Sequence, residues 1–351
     1  MEQNQNTMIA KKNKKPLIIL TGPTAVGKTA LSIQLAKAIH GQMISADSMQ
    51  VYRHMDIGTA KITPEEMEGI PHYLIDVLEP EEDFNVVRFQ EMAKAALEQV
   101  YEAGGIPIVV GGTGFYIQAL LYDIAFEQEE NPDNHGQKCG ETASIEEISG
   151  TEAIEEGSYR QKLQQLAREQ GAEFLHEQLR QVDPASADAI HVNNVKRVIR
   201  ALEFYHQTGT CISAHNEEQR QKESPYNFLY FVLTDDRARL YERIDKRIDS
   251  MIEQGLVDEV QRLKASGCTG SMVSMQGLGY KEILNYLEGN CTLEEAIYVL
   301  KRDTRHFAKR QLTWFRRERD VIWLDRSTFP DEEVLLEQML DRIQDRILTN
   351  I

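Results

Sequence analysis

The sequence predicts an α/β protein built on a parallel, doubly wound sheet, with a helical subdomain inserted into it. Three observations carry this expectation. Short apolar runs recur as buried-strand candidates with helical patterns between most of them, the alternation that a helix-covered parallel sheet produces. The first run, residues 16–20, opens directly into a glycine-rich turn and then a stretch with Leu31, Leu35, Ala38 and Ile39 on one helical side. From Ser158 to Ser213 only helical periodicity continues.

In chain order, strands are expected at 16–20, 42–46, 73–77, 106–110, 228–233 and 321–324. Residues 126–157 are polar and acidic with almost no periodic apolar face, the composition of a flexible insert. Leu163, Leu166, Phe174, Leu175 and Leu179 then keep helical spacing as far as Asp183-Pro184, and a new helix is expected from Val195 to Gln207. The expected division is a flexible N-terminal tail (1–15), an α/β core with C-terminal helices (16–125 and 195–326), an inserted segment (126–194, helical over 158–194) and an acidic C-terminal helix (327–351).

A chain of 351 residues can bury a substantial core, and 41% hydrophobic residues are ordinary for a globular protein. No apolar stretch approaches the ~20 residues of a membrane span, and Leu17 to Leu20 is too short for a signal peptide, so a cytoplasmic protein is expected. Cys139, Cys211, Cys268 and Cys291 form no CxxC pair, which suits reduced thiols and offers no zinc spacing. The net charge of −17 disfavours a nucleic-acid partner at first sight. Its distribution is uneven, however. Eleven acidic residues between Leu121 and Gly157 face one base, Lys138, whereas Lys301 to Arg319 holds eight bases against Asp303 and Glu318.

Gly22-Pro23-Thr24-Ala25-Val26-Gly27-Lys28-Thr29 fits the GxxxxGK[ST] phosphate-loop pattern in the strand–loop–helix context it requires, so the core is expected to be P-loop NTPase-like. Backbone N–H groups of such a loop face a polyphosphate at a helix N-terminus, Lys28 neutralises phosphate charge, and the Thr29 hydroxyl can reach Mg²⁺. Nucleotide hydrolysis usually needs a strand-end Asp for the metal. Here the strand 106–110 ends in Gly111-Gly112-Thr113-Gly114, and 228–233 ends in Thr234-Asp235-Asp236, where the Asp pair also suits a helix cap. Asp47 follows the second strand, at the sheet edge where ligands of open α/β folds bind. It reads as a general base or as the cap of the next turn. Gly112-Thr113-Gly114 offers close backbone approach and a hydroxyl, or simply a packing turn.

GPTAVGKT, ADSMQVY with MDIGTAK, IPHYLID, GGTGFY, NNVKRVIRALE, GLVDEV, GLGYKE and TRHFAKRQLTWFR follow in this order. From Leu17 to Trp323 the chain closely resembles the bacterial tRNA dimethylallyltransferases, departing from them in a longer acidic stretch from about Glu127 to Gly157. The resemblance implies transfer of the dimethylallyl group of dimethylallyl diphosphate to N6 of the adenosine 3′ of the tRNA anticodon, with release of diphosphate. It assigns the diphosphate to Gly22–Thr29 and the catalytic base to Asp47; the phosphate-loop pattern adds Lys28 and Mg²⁺ at Thr29, and Thr113 is the further catalytic candidate. It aligns Arg237 with a diphosphate-binding arginine. The implied tRNA contacts, to the anticodon stem-loop, are Asp47, Ser48, Met49, Gln50, Thr113, Arg160, Lys196, Arg197, Val198, Ile199, Arg200, Gln276, Gly277, Leu278, Gly279, Tyr280 and Lys281.

The chemistry agrees. The lone pair of an adenine N6 is delocalised, so a carboxylate must take its proton as the N–C bond forms, and departure of the diphosphate needs its growing charge stabilised. Lys196 and Arg200 lie four apart on one helical face, either as phosphate contacts or as a solvated surface. Arg302, Arg305, Lys309 and Arg316 form a basic stripe opposite Phe307, Gln311 and Trp314. Leu240, Ile244, Ile248 and Met251 read as core packing and His72 as a satisfied buried histidine. The competing functions are a P-loop kinase of a small metabolite, a prenyltransferase of free adenine nucleotides and a non-catalytic tRNA-binding module. A monomer is expected.

Overall fold

The computed structural model describes residues 14–126 and 156–348; the expected tail over 1–13 and nearly all of the acidic insert, 127–155, lie outside the described residues. In chain order the elements are β1 (Pro16–Thr21), α1 (Lys28–Ile39), β2 (Gly41–Ser45), β3 (His72–Tyr73), α2 (Val86–Glu102), β4 (Ile106–Gly111) and α3 (Gly114–Leu121). Five helices follow: α4 (Glu156–Glu169), α5 (Ala172–Val182), α6 (Pro184–Ala189), α7 (Val195–Thr208) and α8 (Ile212–Gln221). The chain then continues through β5 (Asn227–Thr234), α9 (Arg237–Glu253), α10 (Leu256–Ala265), α11 (Tyr280–Leu287), α12 (Leu293–Phe315), β6 (Val321–Asp325) and α13 (Glu332–Arg346).

The six strands form one parallel sheet in the order β3-β2-β4-β1-β5-β6. All six expected strands are present. β1 is central: Leu17 to Leu20 are at most 1% exposed, because a parallel sheet covered on both faces leaves no solvent side. Register aligns Thr21 with both Gly111 and Val232, bringing the carboxyl ends of β1, β4 and β5 to one edge. Among the described residues no helix is long and apolar enough to cross a membrane.

β3 is shorter than expected. Instead of 73–77 it holds only His72 and Tyr73, since Leu74 (φ 63°) and Asp76 (φ 54°) turn the chain away. The following N–H groups then find other acceptors, Asp76 on Gln50 O (3.2 Å) and Val77 on Val51 O (2.9 Å). Backbone satisfaction, rather than apolar content, sets the strand's length. His72 is half-buried; its Nδ1 is 2.7 Å from Ile70 O, and burial lowers its pKa while that bond opposes the shift.

Residues Ala125–Glu223 make a separate compact unit; the remaining residues form the α/β unit. The core was expected to resume at 195, yet α7 belongs to the helical unit. Val198, Ile199, Ala201 and Leu202 of α7 pack with Leu163, Leu175 and Leu179. Asp183 ends α5 and caps α6, accepting Ser186 N–H at 3.0 Å with Pro184 at the first helical turn.

Adjacent loops at the sheet's carboxyl edge touch through Gly111. A Cβ there would lie 2.2 Å from Ala46 O, a backbone atom fixed by the neighbouring strand. Gly111→Ala is expected to lower stability by ~1–3 kcal/mol through overpacking; urea unfolding should show a lower midpoint at unchanged slope.

Candidate active site

The phosphate loop joins β1 to α1 in the conformation its glycines permit. Gly22 (φ 148°) and Gly27 (φ 94°) occupy backbone regions that L side chains rarely adopt. Each is also crowded: a Cβ would lie 2.5 Å from Leu233 O at Gly22 and 2.3 Å from Arg326 Nη1 at Gly27. Lys28 opens α1 and its Nζ donates to Gly22 O (3.0 Å) and Pro23 O (2.9 Å), while Thr29 is exposed on the first turn.

Three loops meet along this edge. Ala46 N–H donates to Val110 O (2.8 Å), and Thr113 N–H donates to Ala46 O (3.2 Å), tying the segment after β2 to the segment after β4. The strand order therefore sets the Thr113 segment between Asp47 and the phosphate loop. The side chain of Thr113 makes no capping bond to α3. Gln311 of α12, buried, clamps the other side: its Oε1 accepts Thr24 N–H (2.9 Å) and its Nε2 donates to Gly112 O (3.0 Å). Trp314 covers Gly114, where a Cβ would lie 2.2 Å from the indole. The glycines of GGTG are thus required for close approach by Ala46, Gln311 and Trp314.

Asp47 caps the turn that follows it. Its Oδ1 accepts Met49 N–H (2.8 Å) and Gln50 N–H (3.3 Å), a local cap that orients the carboxylate. No donor among the described residues bonds Oδ2. Electrostatics link it to the phosphate loop. Burial brings the Lys28 ammonium down to about 8, the Arg247 guanidinium adds to that shift, and the Asp47 carboxylate opposes it. Arg247 is itself held low by burial, with Asp47 and Glu66 opposing. Tyr116 is pushed up to about 12 by burial, with Tyr52 and Asp47 adding to the shift. Tyr116 also stacks on Phe89 (centroids 4.6 Å apart) and meets Phe84 edge-on, so an aromatic wall adjoins the carboxylate.

The expected site residues do not all converge. The guanidinium of Arg237 sits over Tyr241, 5.1 Å from the ring centroid, and the arginine that Lys28 and Asp47 feel is Arg247. Asp235 pairs with Arg243, and Asp236 caps α9 by accepting Ala238 N–H (2.9 Å) and Arg239 N–H (3.1 Å). On α7, Lys196, Arg197 and Arg200 are exposed, but Val198 (0%) and Ile199 (5%) are core residues whose side chains cannot reach RNA. Arg160 makes a two-bond pair with buried Glu203 (both 2.7 Å), so its guanidinium holds α4 to α7. Of the segment 276–281, Gln276 is exposed and Lys281 half-exposed, whereas Gly277 and Gly279 are buried, Leu278 is half-buried, and Tyr280 is fully buried. A Cβ at Gly277 would lie 2.4 Å from Met49 Cε. Ser48 is half-buried beside Asp47.

The basic stripe of α12 also splits. Arg305 Nη1 bonds both oxygens of Asp245 (2.6 and 2.8 Å), Lys301 pairs with Asp249 and Arg302 with Asp303, while Lys309, Arg316 and Arg317 are exposed. Among the described residues no group of three or more His, Cys, Asp or Glu is placed to hold a metal. Arg247 had a legible signal: it interrupts the apolar face Ile244, Ile248, Met251. Gln311, expected only to lie opposite the basic stripe, had no such mark.

A parallel α/β sheet with a phosphate loop beside a carboxylate and two half-buried cations defines a P-loop protein that handles a phosphorylated substrate. The sequence model of the IPP transferase family matches residues 50–318. The chain is 57% identical over 326 residues to the tRNA dimethylallyltransferase of Lachnoclostridium phytofermentans, covering 93% of this chain and 96% of that one. It is 47% identical to that of Carboxydothermus hydrogenoformans, covering 95% and 96%. The crystal structure of full-length tRNA isopentenylpyrophosphate transferase from Bacillus halodurans superposes with a TM-score of 0.69 at 41% identity, covering 96% and 98%. A eukaryotic dimethylallyltransferase acting on tRNA gives 0.74 at 29% identity, covering 96% of this chain and 80% of that one. The chain belongs to the IPP transferase family.

Burial brings the Lys28 pKa down to about 8, into the range of accessible pH. An alkyl diphosphate, whose last proton leaves near pH ~6, should therefore bind with level affinity only between about pH 6 and pH 8, and more weakly below that window as it takes up its proton. Above it, affinity should fall by up to ~tenfold per pH unit as the cation is lost, with proton uptake on binding. Arg247→Leu removes a repelling charge, raises the Lys28 pKa and moves the decline to higher pH, while weakening affinity at pH ~7. Calorimetry of both proteins across this range checks it; an unmoved decline would show that the charges are uncoupled.

Proposed function

We propose that the protein transfers the dimethylallyl group of dimethylallyl diphosphate to N6 of the adenosine 3′ of a tRNA anticodon. The observation that carries the reading is the convergence, at one sheet edge, of a proton-accepting carboxylate, a phosphate loop and two cations whose charges act on one another. N6 attacks the allylic carbon as its bond to the diphosphate oxygen breaks, and the proton on N6 passes to Asp47. Phosphate-loop amides, Lys28 and Arg247 take up the charge that accumulates on the leaving diphosphate. The unbonded Oδ2 of Asp47, on a carboxylate oriented by two backbone N–H groups, supports its role as base.

Thr113, whose segment follows the strand between those of Asp47 and the phosphate loop, positions the reacting groups. Exposed Thr29 would hold a Mg²⁺ ion through its hydroxyl. Such an ion would supply further charge neutralisation to the leaving group. Because water would capture the electrophilic carbon, the adenine must leave its stack and close the site itself. In the helical unit Lys196, Arg197 and Arg200 supply phosphate contacts, and in the α/β unit exposed Lys309, Arg316 and Arg317 supply others.

Incubation with unmodified tRNA and dimethylallyl diphosphate should add a five-carbon hydrocarbon to the adenosine 3′ of the anticodon, seen by mass; addition of phosphate instead would support a kinase, and no addition would sink the proposal. Asp47→Asn should lower the chemical rate by ~10²–10⁴-fold with tRNA affinity retained. The double substitution Lys196→Ala and Arg200→Ala should weaken binding of different tRNAs alike and reduce the slope of log affinity against log salt by ~1–2.

A further inference from the structure

Glu259 of α10 is 2% exposed and has no cationic partner among the described residues. Four donors satisfy it instead. Oε2 accepts Asp56 N–H (3.0 Å) and Ile57 N–H (2.8 Å), and Oε1 accepts Gly58 N–H (3.1 Å) and the Tyr280 hydroxyl (2.7 Å). A buried carboxylate is tolerated only when its oxygens are so occupied. The loop it grips has no freedom to slide: a Cβ on Gly58 would lie 2.6 Å from the Tyr280 ring, and Thr59 Oγ1 donates to Met55 O (2.6 Å).

The end of this loop holds Gln50. Its Nε2 donates to Thr59 O (3.3 Å) and Ala60 O (3.2 Å). Two carbonyls can be satisfied only by the amide's NH₂, so the orientation is unambiguous and Oε1 is left as the acceptor end. Gln50 N–H and Met49 N–H meanwhile orient Asp47. Asp47 and Gln50 therefore present acceptors only.

We propose that Glu259 and Tyr280 are positioning residues that set base specificity: by anchoring the loop 56–60 they hold Gln50 with its carbonyl oxygen outward, so that Asp47 and Gln50 together accept the two hydrogens of an exocyclic amine. One N–H points to the base that removes it and the other to Gln50 Oε1. A base carrying an exocyclic oxygen in place of the amine meets two acceptors with no proton between them, an unpaired arrangement that is strongly disfavoured. This inference rests on the prenyl-transfer reading of the same site.

The test uses anticodon stem-loop RNAs with adenine or inosine 3′ of the anticodon, as substrate and as competitive inhibitor. The wild-type enzyme should prefer adenine by at least ~tenfold in inhibition constant. Tyr280→Phe removes one donor to Glu259 without changing the ring, and should cut that ratio by ~threefold or more while leaving KM for dimethylallyl diphosphate unchanged. Glu259→Gln, which turns an NH₂ toward backbone N–H groups, should cut it further. If Glu259→Gln does not fold, Tyr280→Phe alone decides. A ratio unchanged in Tyr280→Phe, or lost together with diphosphate affinity and thermal stability, assigns the pair a purely structural role and overturns the proposal. So does a wild-type enzyme that prenylates adenine yet binds both RNAs equally. Absence of prenylation in the wild type refutes the reading on which the inference rests, and the inference with it.

Discussion

A site that must receive the full negative charge of a diphosphate has to keep positive charge waiting in a partly desolvated place, and much of this protein's architecture answers to that constraint. Lys28 and Arg247 both lose hydration, which holds each below its ordinary pKa, and the Arg247 charge lowers Lys28 further. Asp47 offsets part of that cost. The Asp47 carboxylate is thus the counter-charge that makes two half-buried cations tolerable beside the phosphate loop.

Holding these charges together requires loops from separate strands to approach more closely than side chains allow. Gly111, Gly112 and Gly114 admit Ala46, Gln311 and Trp314 respectively, and each contact is with a group fixed by other elements. Gln311 alone spans the phosphate loop and the loop after β4. A helix that looks from its charges like an RNA-binding surface thus also braces the catalytic edge. Its basic residues divide accordingly, with Arg305 turned to Asp245 and Lys309, Arg316 and Arg317 left to solvent.

The formal charge of −17 loses its apparent conflict with a polyanionic partner once residues are placed. Eleven acidic residues fall in and around the segment outside the described residues, and several further acids, including Asp245, Asp249 and Glu203, are occupied by arginine or lysine within the fold. Exposed bases on α7 and at the end of α12 remain. Screening at physiological salt limits interactions to roughly 8 Å, so such local patches matter more to a phosphate backbone than the distant total.

Contiguous sequence determined the parts of this protein that depend on contiguous backbone. The phosphate loop, the six strands, the stop at Asp183-Pro184 and the polar cap of Asp47 each follow from neighbouring residues: glycines where φ is positive, apolar runs where a strand is buried, short polar side chains where N–H groups lack partners. The ordered motifs likewise identified the family. Tertiary structure decided what depends on residues far apart in the chain. It assigned α7 to the helical unit, because helical periodicity says that a face is buried and not against what. It shortened β3, because the N–H groups after Tyr73 found acceptors at Gln50 and Val51. It turned Val198, Ile199 and Tyr280 into the interior, drew Arg247 rather than Arg237 into the field of Lys28, and gave Gln311 and Glu259 their partners. Charge coupling and close approach act through space, and no local pattern encodes them.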